Sequence, residues 1–293
     1  MDINFYHLPV MVNEVEQYLI TKDSGCYVDC TFGGGGHSLF LLKKYKNIKI
    51  IAFDQDADSL KRFNENKNLQ EFKDRIIFCC DNFRNIEKKI KDLNIGKVNG
   101  LMADLGVSSK QLDDKERGFS FNSDSILDMR MDKKNNITAY DIVNSFDKDK
   151  LSEIFFKYGE ERFCGQIAEK IVEERIKGTV KTCNQLKDIV CKIKSAKGKI
   201  NPATKVFQAL RIYVNDELGS LREMLNSIPE ILDTNSRAVI LTYHSLEDRI
   251  VKQTFRENKY LKVINKKVIV ADDKEIKENP RSRSAKLRAV EKL

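Results

Sequence analysis

The sequence predicts an α/β protein: a doubly wound, Rossmann-like parallel sheet interrupted by an all-helical insert. Three observations lead there. Over the first hundred residues, short apolar strands alternate with helices of roughly 10–15 residues, the pattern of a parallel sheet. From about residue 138 to 200 the alternation stops and only helical periodicity remains. Strand character then returns at residues 238–243.

Each element has its own signal. Val12, Val15 and Leu19 recur at helical spacing. Residues 27–30 form a short strand that runs through Thr31-Phe32 into four glycines, Gly33 to Gly36. Leu39, Leu41 and Leu42 open a helix. Residues 48–53 are apolar apart from Lys49, read as a buried strand, and end at Asp54. Leu60 and Phe63 mark the next helix, residues 75–80 a third strand, residues 86–93 a third helix, and residues 98–103 a fourth strand ending at Asp104. Helical stretches follow at 139–143, 151–158, 167–172 and 186–193. After the strand at 238–243, a helix runs from Leu246 to about Asn258, and residues 263–270 and 287–290 read as a closing pair of strands. The expected division is a core in two parts, 1–136 and 204–293, around an insert at 137–203.

Composition narrows the function classes. The chain has 293 residues, 41% hydrophobic and 33% charged, enough for a sizeable core and too apolar for wholesale disorder. No apolar run approaches the roughly 20 residues of a membrane span, and the first residues lack the basic and apolar regions of a secretory leader. Seven cysteines without a C-x-x-C pair indicate reduced thiols in a cytoplasm rather than a disulfide framework or a zinc ribbon. The net charge of +8 is uneven: residues 181–211 carry +7 and residues 259–293 carry +6, on an otherwise mildly acidic body. Two basic segments suit a phosphate backbone, although lysine runs are also ordinary solvated faces.

In doubly wound sheets, ligands bind beyond the carboxyl ends of the strands. Gly33 to Gly36 lie between a strand and a helix, where missing Cβ atoms let a ligand approach the backbone. Four glycines are equally the makings of a mobile turn. Asp54, however, follows Gly33 by 21 residues, the spacing at which a carboxylate meets ribose hydroxyls. A dinucleotide fingerprint needs a third glycine where Ser38 stands. Asp29, Asp54 and Asp104 form an acidic rim, which disfavours a pyrophosphate and suits the amino acid end and sulfonium of S-adenosylmethionine. Phe83, just past the third strand, packs either on an adenine or in the core.

The motifs Asp29-Cys30-Thr31-Phe32-Gly33-Gly34-Gly35-Gly36-His37-Ser38, Asp104-Leu105-Gly106-Val107-Ser108-Ser109-Lys110-Gln111, Arg117-Gly118-Phe119-Ser120-Phe121 and Leu127-Asp128-Met129-Arg130-Met131-Asp132 occur in order. So do Tyr158-Gly159-Glu160-Glu161-Arg162-Phe163, Pro202-Ala203-Thr204, Phe207-Gln208-Ala209-Leu210-Arg211, His244-Ser245-Leu246-Glu247-Asp248-Arg249 and Asn279-Pro280-Arg281-Ser282-Arg283. Together they resemble the bacterial 16S ribosomal RNA cytosine-N4 methyltransferases over essentially the whole chain. The resemblance implies a class I methyltransferase core with an inserted helical domain that recognises substrate. It further implies S-adenosylmethionine-dependent methylation of N4 of a decoding-centre cytosine (nucleotide 1402 in the ribosomal numbering) within the small subunit.

Carried over by motif, the cofactor contacts fall on Gly35, Gly36, His37, Asp54, Phe83, Asp104 and Gln111. Gly35, Gly36, Asp54 and Asp104 follow from strand ends and spacing as well; His37 as a contact and Gln111 rest on the resemblance alone. Asp104 is also the candidate to orient the cytosine amino group. Phe119 and Phe121 would stack on a flipped base or anchor the insert, and Arg117 and Arg130 would hold phosphates or pair with Glu116, Asp128 and Asp132. His244-Ser245 would touch RNA, or Ser245 would cap the next helix. Lys205, Arg211, Arg281 and Arg283 are expected on the RNA backbone. No metal is expected, since no three or four ligands converge. The family usually has His before Pro-Ala-Thr, and here Asn201 stands there. Some members dimerise, so a homodimer stays open. The rivals are a nicotinamide-dependent dehydrogenase, which the missing third glycine opposes, and a non-catalytic ribosome-assembly factor with a cofactor pocket. A DNA amino-methyltransferase should show Pro-Pro-aromatic after Asp104, and Leu105-Gly106-Val107 follows instead.

Overall fold

The computed structural model describes residues 8–121, 123–195 and 201–293. They fall into two compact units, one of Met1–Gly106 with Leu218–Leu293 and one of Val107–Glu217.

The first unit is a sheet with helices on both faces. Its strands are β1 (Ser24–Asp29), β2 (Asn47–Phe53), β3 (Ile76–Cys79), β4 (Val98–Asp104), β5 (Leu232–Thr242), β6 (Leu261–Val263), β7 (Ile269–Val270) and β8 (Lys286–Lys292), in the order β3-β2-β1-β4-β5-β8-β6, with β7 also on β8. The pairs from β3 to β5 are parallel, and β8 is antiparallel to β5. The alternation of β2 shows why helices must cover both faces. Ile51 and Phe53 enter one core with Val28, Leu101, Ala103 and Ile240, beneath Ile86, Ile90, Leu225, Ile228 and Val251. Ile50 and Ala52 enter the opposite core with Tyr27, Met102 and Leu241, beneath Val15, Leu19, Leu41 and Leu42. Side chains of period 2 leave no solvent-facing side on such a strand. After β1 the chain winds one way through β2 and β3, and β4 begins the other half. The switch point therefore lies between β1 and β4, whose last residues are Asp29 and Asp104.

The closing end departs from expectation. Residues 263–270 are not one strand but the end of β6, a loop and β7. At the break, the Asn265 side chain takes the place of a strand: its Nδ2 donates to the Leu287 carbonyl at 2.9 Å and its Oδ1 accepts from the Ala289 N–H at 2.7 Å. A helix, Asp273–Glu278, and a tight turn, Pro280–Ser284, then lead into β8.

The second unit is helical, with Ser109–Asp113, Ala139–Ser145, Lys148–Gly159, Cys164–Lys177, Cys183–Ile193 and Thr204–Asn215. Thr138 and Thr182 start two of these helices with reciprocal capping boxes. The unit extends beyond the expected 137–203 insert on both sides. Phe119, Leu127, Met129 and Met131 before it, and Val206, Phe207 and Leu210 after it, bury their side chains in the same core as Ile142, Leu151, Phe155, Ile167, Leu186 and Val190. Asn215 locks the two flanks together. Its Oδ1 accepts from the Met131 N–H at 2.7 Å, and its Nδ2 donates to the Met129 and Arg211 carbonyls, each at 2.8 Å.

Candidate active site

The carboxyl ends of β1, β2, β4 and β5 converge on a set of acids. β1 ends at Asp29, only 3% exposed, whose Oδ2 accepts from Ser38 Oγ at 2.7 Å and Oδ1 from the Thr31 N–H at 3.1 Å. Burial pushes its carboxyl up to about 6, against the pull of Ser38 and His37. Thr31 passes the connection on: its Oγ1 accepts from the Asp104 N–H at 2.6 Å. Asp104 closes β4 and accepts the Tyr243 hydroxyl on Oδ1 at 2.5 Å. Burial raises this carboxyl too, opposed by the His37 imidazole and the Tyr243 hydrogen bond.

After β2, Asp54 turns back to the glycine loop. Its Oδ2 accepts from the Gly33 N–H at 2.8 Å and its Oδ1 from the Asp56 N–H at 2.9 Å. Burial raises its carboxyl as well. Gly35 ends the loop at φ +73°, and a Cβ there would stand 2.7 Å from the Phe32 ring. That position therefore requires glycine. Gly34 differs: a Cβ added there meets nothing within 4 Å among the described residues. Gly36 begins the helix Gly36–Lys44, and a Cβ there would be 3.3 Å from Pro9. His37 is buried, with Nε2 2.9 Å from the Val10 carbonyl. Phe83 is half-buried, opens the turn Phe83–Asn85 and packs on the core that holds Ile86.

Among the described residues, the carboxylates of Asp29, Asp54 and Asp104 accept from N–H and O–H groups, and none forms an ion pair with lysine or arginine. Three carboxylates without a cation, beside a glycine loop, repel a phosphate and accept hydroxyl and ammonium donors. The donor set thus fits an adenosine bearing a positively charged amino acid end.

Beyond β5, the helix Ser245–Glu257 is capped by His244 and not by Ser245, which is exposed in its first turn. His244 Nδ1 accepts from the Glu247 N–H at 3.4 Å, and Glu247 Oε2 accepts from the N–H groups of Tyr243 (2.8 Å) and His244 (3.3 Å). Arg281 and Arg283 are exposed in the turn Pro280–Ser284.

The model of the MraW methylase family matches residues 4–293. The chain belongs to the MraW methylase family. Among its relatives, it is 54% identical over 290 residues to ribosomal RNA small subunit methyltransferase H of Endomicrobium trichonymphae, covering 98% of this chain and 99% of that one. It is 46% identical over 295 residues to the protein of that name from Nostoc punctiforme, covering 100% and 96%. Among solved structures, an rRNA methylase from Streptococcus thermophilus aligns with 96% of this chain and 93% of its own, at 12% identity and a TM-score of 0.43.

In this methylase the remaining expected residues lie in the helical unit, and several are already engaged. Gln111 is 7% exposed and forms a capping box with Ser108: its Oε1 accepts from the Ser108 N–H at 3.0 Å. Phe119, expected either to stack on a base or to anchor the insert, is 7% exposed in the helical core, where its ring faces side chains. Phe121 packs edge-on to Phe207 at 5.9 Å. Arg117 is buried and donates to the Arg130 and Met131 carbonyls. Arg130 grips both oxygens of Asp128, at 2.8 and 2.9 Å, and the carbonyls of Lys133 and Asn135. Burial works against the Asp128 carboxylate, yet the hydrogen bonds and charge of Arg130 hold it below its ordinary range. Arg211 makes the same bidentate grip on Glu217, at 2.8 and 2.9 Å. These two guanidiniums build the unit and are not free cations for a phosphate.

Lys205 is exposed and donates to the Glu160 carbonyl at 2.8 Å. Of the basic segment 181–211, Lys192 and Lys194 pair with Glu174 and Glu161, while Lys197 and Lys199, like His7, lie outside the described residues. Tyr243 and Thr31 escaped the sequence reading. The one available signal was a polar-tipped aromatic at the carboxyl end of an otherwise apolar strand, directly before His244.

Proposed function

We propose that this chain methylates N4 of a cytosine in the decoding centre of 16S ribosomal RNA, using S-adenosylmethionine and acting on the small subunit. The observation that carries this reading is family membership over residues 4–293 together with the cluster of acids at the switch point, which form no ion pair with lysine or arginine among the described residues. When bound, S-adenosylmethionine supplies a methyl group activated by positive sulfur.

The chain's own residues bind and orient. Gly35, Gly36 and His37 form the turn against which the cofactor lies. Asp54 offers carboxylate oxygens to ribose hydroxyls, and Phe83 offers a ring face to the adenine. Asp104 orients the amino acid end, and Gln111 is a cofactor contact that the family motif implies. Asp104 is also the acceptor for the cytosine amino protons: an amino nitrogen delocalised into its ring becomes a nucleophile when a carboxylate draws on those protons. Reacting atoms must be held at roughly 3–3.5 Å in line, which is what rigid strand ends provide.

RNA contact falls to Lys205, His244, Ser245, Arg281 and Arg283. Phe119, Arg130 and Arg211 shape the helical unit that presents the RNA-recognition surface.

The test is methyl transfer. Labelled S-adenosylmethionine is given with small subunits lacking the modification, and with naked RNA and DNA in parallel. The products are digested and their nucleosides separated by mass spectrometry. N4-methylcytidine from subunits is the expected result. Intact cofactor binding with no methylated nucleoside would point instead to an assembly factor.

A further inference from the structure

We infer that Tyr243 is a positioning residue for this reaction, holding the Asp104 carboxylate in one orientation through its hydroxyl. The inference rests on the methyl-transfer reading above.

Asp104 is the last residue of β4 and pairs in register with Leu241 of the parallel neighbour β5. Tyr243 is therefore two residues further along, at the same end of the sheet. Its hydroxyl donates to Asp104 Oδ1 at 2.5 Å, while Oδ2 has no partner among the described residues. The Tyr243 backbone N–H donates to Glu247 Oε2 at 2.8 Å, which anchors the main chain at this residue, and a Cβ added at Gly106 would stand 3.7 Å from its ring Cδ2. A carboxylate pinned by one oxygen and by its own backbone N–H on Thr31 presents its second oxygen in a fixed direction. Pre-organised acceptors of this kind need no reorganisation as the reaction proceeds.

The charged and titratable groups around the pair are known. His37 from the helix Gly36–Lys44, Asp29 from β1 and Glu247 from the helix Ser245–Glu257 face Asp104; Glu247 and Glu275 face Tyr243. Burial and the neighbouring acids keep the phenol protonated, so it remains a donor. A donor to the carboxylate stabilises its charged form. Removing the hydroxyl therefore raises the pH at which Asp104 loses its charge.

The experiment compares wild type, Tyr243→Phe, Asp104→Asn and the double variant as full chains. Asp104 is titrated by carbon NMR on labelled aspartates and assigned by its loss in Asp104→Asn. Methyl transfer is followed against pH. In Tyr243→Phe the Asp104 titration and the acid limb of kcat both move up by about one pH unit. Above that limb kcat returns to within about threefold of wild type. In the Asp104→Asn background, Tyr243→Phe changes kcat no further. An unmoved titration, or an equal loss of kcat at every pH, would overturn the inference. A wild-type chain silent on every RNA while the titration still moves would overturn the methyl-transfer reading and leave the pair standing.

Discussion

Asp29 is an acid held where acids are least comfortable. Its folded pKa, about 6, lies above its ordinary 3.8. With respect to this group, stability is complete below about pH 4 and falls as pH rises to about 6, by about 3 kcal/mol. Asp29→Asn removes the penalty. Its unfolding free energy, measured with urea from pH 4 to 7, should rise relative to wild type with increasing pH and level off above about pH 6. A constant difference between the two proteins would contradict the assignment. Asp54 makes the complementary case for ligand binding. Two charge-assisted bonds to ribose hydroxyls contribute roughly 1.5–3 kcal/mol each. Asp54→Asn, which keeps an oxygen for the Gly33 N–H, should weaken S-adenosylmethionine by about 10–100-fold in calorimetry. Unchanged affinity would remove Asp54 from the ribose. Both aspartates were legible in the sequence, because a strand end and a glycine loop are local features. The Tyr243 hydroxyl was not, because its partner lies 139 residues away.

At the level of elements, two asparagines do what regular hydrogen bonding cannot. Asn215 is 5% exposed and satisfies the Met131 N–H and two carbonyls at the end of the helix Thr204–Asn215. Asn215→Ala removes the buried amide that the Met131 N–H and the Met129 carbonyl use and should cost about 2–4 kcal/mol of stability in thermal or denaturant unfolding. A loss under 1 kcal/mol would mean that water replaces the amide. Asn265 bridges the gap between β6 and β7 in the same manner. The sequence predicted the central strands within a few residues because apolar residues dominate them. It merged residues 263–270 into one strand because a single asparagine among lysines carries no periodicity signal. It also assigned residues 107–136 to the sheet core, since irregular turns there hide Leu127, Met129 and Met131. The left-handed Gly118 (φ +70°), where a Cβ would stand 2.4 Å from the Ile126 carbonyl oxygen, is part of that turn geometry.

On the scale of the whole molecule, charge sets the partner. If Lys205, Arg281 and Arg283 meet phosphates, affinity for small subunits should fall linearly on a log–log plot against salt. Replacing all three with alanine should reduce that slope by about three. A slope unchanged by the triple substitution would move the RNA surface elsewhere. Net charge was readable from composition, but its availability was not: Arg211, expected on RNA, is closed on Glu217, and Arg130, expected on phosphate or on a neighbouring acid, is closed on Asp128. By itself the sequence determined the parallel sheet, the helical unit, the glycine loop and the acids at the strand ends, because strand periodicity, helix periodicity and loop spacing are all set by near neighbours. The tertiary structure alone decided where the helical unit begins and ends, which cations are already paired, and that Tyr243 reaches Asp104. Those outcomes depend on contacts between residues far apart in the chain, and no local pattern encodes which of many possible partners a buried side chain will meet.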